Sequence, residues 1–151
     1  MGLRAALVAA TMIAFAAPAF AKWADWPGPS DADLERIVRS AYSAAAAYAR
    51  ANGNYFSRDG EAEPLTVAIG AGLARDGFDN VAVPDAPVAD LDTARRCITG
   101  KATTELRIVT TLFGDGLDLA AATADRVFSY HYDPHQSPTI LIAPASPCTK
   151  P

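Results

Sequence analysis

The two histidines of the chain fall in His131-Tyr132-Asp133-Pro134-His135. On an extended strand, residues two apart point the same way, so His131, Asp133 and His135 could offer nitrogen, oxygen and nitrogen ligands to a divalent metal. Pro134 turns the chain before His135, and no fourth ligand is identifiable, which leaves solvated histidines at a strand end as the competing reading. Acidic pairs at Glu61/Glu63, Asp90/Asp92 and Asp115/Asp118 are oxygen donors of the kind that hold hard cations. None has the spacing of a calcium loop, and solvated turns account for them.

Other catalytic patterns fail on their own terms. Gly70-Ala71-Gly72-Leu73-Ala74-Arg75 begins like a dinucleotide loop. It ends in arginine where glycine should let helix and strand approach, and no βαβ context surrounds it. There is no G-x-S-x-G elbow, no Walker lysine motif and no H-E-x-x-H. No catalytic residue and no cofactor are assigned. Trp23, Trp26, Tyr55 and Phe56 are the candidate contact residues, because large amphipathic rings anchor partner surfaces.

The elements that must position these residues begin with an export signal. Arg4 gives a positive start, residues 5–17 are apolar, and Ala19-Phe20-Ala21 supplies the small residues that a signal peptidase needs. The apolar run is too short for a hydrocarbon core, which takes about 20 helical residues. Residues 1–21 are therefore expected to be cleaved, leaving a periplasmic or secreted protein with no stable membrane span. In that oxidising setting the two cysteines, Cys97 and Cys148, are expected to form a disulfide. A thiolate nucleophile at Cys97 would then be unavailable.

Of the 151 residues, 50% are hydrophobic and 20% charged, with a net charge of −4, which bounds the chain to one small domain and makes it a poor nucleic-acid binder. Residues 22–30 read as an irregular lead-in containing Trp26-Pro27-Gly28-Pro29. A helix follows, with Ser30 as N-cap and Asp31 and Asp33 in its first turn. Leu34, Val38, Ala41, Ala45 and Tyr48 form its apolar stripe, and Asn52-Gly53 stops it. The alanine run at 44–47 allows close approach, and a sheet is the expected neighbour. A shorter helix is predicted over 65–75 after Pro64, with its Thr66-Val67 start leaving a strand reading open, followed by an extended connector over 81–88. Strands are predicted over 104–113, where Leu106, Ile108, Thr110 and Leu112 share a face, and over 125–132 and 139–143. Residues 31–151 are thus expected to form a single α+β domain. Its architecture is one long N-terminal helix packed on a three- to four-stranded antiparallel sheet, with one disulfide.

This order resembles the globular head of type IV pilins and of type II secretion pseudopilins. The likeness is carried by Ala47-Tyr48-Ala49-Arg50-Ala51-Asn52-Gly53-Asn54-Tyr55 at the end of the helix, the variable segment to Val83-Pro84-Asp85, the following strands and the C-terminal cysteine. The family's retained N-terminal assembly helix is missing here, since the apolar segment ends in an ordinary signal-peptidase site. The resemblance implies a pilin-like head used for recognition or accessory assembly, without catalysis. The expected role is therefore a non-enzymatic protein-interaction or accessory envelope module whose partner is another envelope or secreted protein. The alternative is a small exported metal-binding or hydrolytic protein using His131, Asp133 and His135.

Overall fold

The computed structural model describes residues 28–58, 63–100, 102–136, 140–142 and 144–151. The expected signal, Trp23, Trp26 and Glu61 lie outside the described residues. The first element is α1 (Asp31–Ala51). Its start is fixed by a capping box: the Ser30 hydroxyl accepts the Asp33 N–H at 3.2 Å while the Ser30 N–H donates to the Asp33 carboxylate at 3.0 Å. Asn52 caps the other end. Leu34, Ile37, Val38, Ala41 and Ala45 of α1 are buried, the spacing of a core-facing helical stripe.

The second helix, α2 (Glu63–Arg75), packs beside α1. Its Leu65, Ile69 and Leu73 join the same core cluster. Gly72 explains how closely the two helices approach, because a Cβ added there would lie 2.4 Å from the Ala44 Cβ. The alanine run of α1 therefore meets a helix at Ala44, in addition to the sheet expected from the sequence. Ser40 of α1 also donates to Asp76 beyond the end of α2, at 2.6 Å.

Next come β1 (Val81–Ala82), the short α3 (Leu91–Ala94), β2 (Thr104–Thr110), β3 (Leu117–Ala122), β4 (Arg126–Tyr132), β5 (Ile140–Ile142) and β6 (Ser146–Pro147). The sheet runs β1-β2-β3-β4-β5, with β6 also pairing β4. This corrects the expected three- to four-stranded antiparallel sheet. The sheet has five strands along its path, and it is mixed because β1 is parallel to β2 while the remaining pairs are antiparallel. β1 comes from the segment read as a connector. β3 comes from Leu117-Asp118-Leu119-Ala120-Ala121-Ala122, whose alanines carry no strand signature of their own.

Alternation divides the sheet into two faces. Leu106 and Ile108 of β2, Leu117, Leu119 and Ala121 of β3, and Phe128 and Tyr130 of β4 belong to the main core with α1 and α2. The opposite face holds Ala120, Ala122 and Val127, covered by Ala94 of α3 and by Ile98, with Cys148 packed against them. Cys97 and Cys148 are joined in a disulfide. Backbone hydrogen bonds from Cys97 N–H to the Thr149 carbonyl at 2.8 Å and from Thr149 N–H to the Arg95 carbonyl at 3.2 Å flank it. Among the described residues, no helix is long and apolar enough to cross a membrane.

Candidate functional site

The histidines are separated by the strands that carry them. In the β3–β4 register His131 lies directly opposite Asp118. Its Nδ1 meets the Asp118 Oδ1 at 2.5 Å on the sheet face away from α1, leaving the imidazole about one-third exposed. His135, past the end of β4, instead places Nε2 2.6 Å from Asp115 Oδ2. Asp133 accepts the His135 backbone N–H at 2.8 Å. The three expected metal ligands thus turn to different partners. Among the described residues, no group of three or more His, Cys, Asp or Glu side chains could hold a metal ion.

Of the remaining acidic pairs, Asp90/Asp92 and Asp115/Asp118 take up separate roles, and Glu61/Glu63 lies outside the described side chains. Asp90 is the N-cap of α3, accepting the Thr93 N–H at 2.7 Å, and Asp92 lies in the first turn. Asp115 and Asp118, both in the β2–β3 region, serve different histidines. Of the candidate contact aromatics, Tyr55 is 43% exposed whereas Phe56 is 3% exposed and belongs to the core. Phe56 packs edge-on against Tyr132 with ring centroids 5.7 Å apart.

The arrangement the sequence does not announce lies at the end of the molecule where α1 stops. The predicted strand 104–113 ends at Thr110, so the alternation that placed Leu112 inside breaks off. Leu112 and Phe113 are instead 94% and 76% exposed, in the turn joining β2 to β3. That turn is tightly fixed. The Phe56 and Ser57 N–H groups both donate to the Gly114 carbonyl, at 2.6 and 3.2 Å. The Thr111 hydroxyl donates to Asp115 at 2.9 Å and accepts the Gly116 N–H at 3.0 Å. Gly114 adopts φ +74°, and a Cβ there would meet the Ser57 carbonyl oxygen at 2.1 Å, so glycine is required twice over.

Beside this turn lies a cleft of about 240 Å³ lined by Tyr42, Ala46, Ala49, Arg50, Asn54, Phe56, Asp115, Tyr132 and Pro134. Tyr42 stacks at a tilt on Tyr130 and Tyr132, with centroids 4.6 and 6.0 Å away. Burial, reinforced by neighbouring Tyr42, pushes the Tyr130 hydroxyl far above the usual phenol range and keeps it neutral. The Asp115 carboxyl is held below the usual range by the Thr111 hydroxyl, against the opposing effect of burial, with His135 adding to the lowering.

Asp33, Asp76 and Asp90 are lowered as well, chiefly by the Ser30 hydroxyl, the Ser40 hydroxyl and the Thr93 N–H respectively. A depressed folded-state value stabilises the fold above the unfolded carboxyl value of about 4, and that contribution is lost as pH falls through the folded values. Urea unfolding should therefore show an acid-induced drop that begins below about pH 4. The variant carrying Asp33→Asn, Asp76→Asn, Asp90→Asn and Asp115→Asn should have a lower midpoint at neutral pH and a shallower acid limb. An acid limb of unchanged steepness in that variant would show that these carboxylates do not control it.

Comparison with known proteins finds no matching family model, no matching curated protein and no matching solved structure.

Proposed function

We propose that the protein is an exported, non-enzymatic α+β domain that acts by binding another envelope or secreted protein, and that it does so through the end where Leu112, Phe113 and Tyr55 are exposed. One observation carries this reading: two large apolar side chains stand almost fully in solvent on a turn whose backbone is hydrogen-bonded from both sides. Exposing adjacent large apolar residues is unfavourable for an isolated domain and marks an interaction surface. Fixing the turn beforehand lowers the ordering entropy lost on association. A pilin-like head with its signal removed and its cysteines joined is the form this proposal gives the module.

The test compares the native protein with the Leu112→Ser, Phe113→Ser double variant, cross-linked in living cells under identical conditions. Both side chains contact solvent, so thermal unfolding should move by less than about 1 kcal/mol. The specific cross-linked species should fall at least tenfold, the loss expected when central apolar anchors are removed. Retention of the same species at the same yield would overturn the proposal.

A further inference from the structure

We propose that the cleft beside α1 binds a small monocarboxylate carrying an aromatic ring. The cleft's volume, about 240 Å³, is below that of a drug-sized pocket and suits a single ring with a short polar extension. Tyr42 and Tyr132 line the cleft over the buried Phe56, beside the small side chains of Ala46 and Ala49. Aromatic rings pack favourably against such walls in tilted and edge-on arrangements.

Polar groups at the same cleft select the charge. Arg50 lines the cleft and, like Arg58, Arg95 and Arg96, has no ion-pair partner among the described residues. The Asn54 side chain, carried by a residue at φ 70°, also lines it and makes no hydrogen bond among the described residues. A guanidinium fork matches the two oxygens of a carboxylate, and an amide N–H can add a third contact. Asp115 is hydrogen-bonded to Thr111 and His135 and makes no ion pair with Arg50. Arg50 is the cation of the lining that would meet a carboxylate, and the Asp115 charge in the same lining weighs against a doubly charged phosphate.

The cleft and the exposed turn make separate predictions. Titrating the disulfide-bonded protein with N-acetyl-phenylalanine and with phenylacetate, followed by amide chemical shifts, should move the resonances of Ala46, Ala49, Arg50 and Asn54 first. N-acetyl-phenylalanine amide, which lacks the carboxylate, should bind at least tenfold more weakly. Arg50→Gln should cause a similar loss. Ala46→Leu, a helix-compatible change that fills the cleft, should abolish the shifts while the protein stays folded. The Leu112→Ser, Phe113→Ser variant should bind as the native protein does, so a failed contact surface and a failed cleft are distinguishable.

Tighter binding of N-acetyl-phenylalanine than of phenylacetate assigns the ligand to a peptide C-terminus, and the reverse order assigns it to a free acid. Equal binding of acid and amide, tighter binding of phenyl phosphate, or no localised shifts with either acid would overturn the proposal.

Discussion

Replacing Cys97 and Cys148 together by alanine is expected to lower the unfolding free energy by about 4 kcal/mol, with a fall in thermal midpoint of about 15 °C. The magnitude follows from the 51-residue separation of the bridged cysteines, which restricts the unfolded chain far more than a local link would. The same bond ties the segment after α3 to the C-terminal strand region, across the sheet face opposite α1. Urea unfolding of the oxidised and doubly substituted proteins measures the difference. A loss below about 1 kcal/mol would mean that the backbone pairing of Arg96 with Thr149 holds this region without the bridge.

The second large effect is expected at Arg107, which is 9% exposed in the middle of β2. Its guanidinium donates to the carbonyls of Thr93, Ala94 and Arg96, at 3.0, 3.4 and 2.5 Å, and to Glu105 at 2.8 Å. One side chain thus satisfies the carbonyls at the end of α3 and fixes that segment on the sheet. Arg107→Met preserves much of the aliphatic packing but leaves those carbonyls and Glu105 without their donor, and should cost about 3 kcal/mol. Arg107→Lys should recover only part, because an ammonium cannot span the same fork.

Arg107 and the disulfide secure neighbouring parts of the same segment, so their effects should not add. A double-mutant cycle with Cys97→Ala, Cys148→Ala and Arg107→Met is expected to give a coupling of about 1 kcal/mol. Strict additivity would show that the α3 end and the bridge unfold independently.

The local signals legible in the sequence were those with a local cause. Ser30, Asp33 and Asn52 set the ends of α1 through contacts within a few residues, and the structure places the helix between them. Cysteine parity, together with the expected export signal, pointed to the disulfide that is present. β3 was hidden because its alanines favour a helix in isolation, and only pairing with β2 and β4 makes them a strand. β1 has too few residues for a period to register. Gly72 looked like part of a failed nucleotide loop, whereas its purpose is contact with Ala44 on another helix.

The candidate site was legible only in pieces. His131 and His135 stood out by type, but their partners Asp118 and Asp115 lie 13 and 20 residues away, a pairing set by strand register and turn geometry. Leu112 continued a regular alternation that the Gly114-Asp115-Gly116 turn interrupts, so its exposure follows from where β2 ends. Arg50 lies in the last turn of α1, and nothing in the local sequence connects it to Tyr132 or Asp115, which line the same cleft.

The two-residue β1 forms one margin of the sheet, and the other is shared between the three residues of β5 and the two of β6. Among the described residues, β1 covers only Thr104 and Glu105 of β2, and farther along that edge β2 is met by the connector after β1, where the Val88 N–H donates to the Ile108 carbonyl at 2.8 Å. A connector laid along an edge in place of a strand is one way to shield main-chain groups from an incoming chain, here on the margin that carries the turn with Leu112 and Phe113.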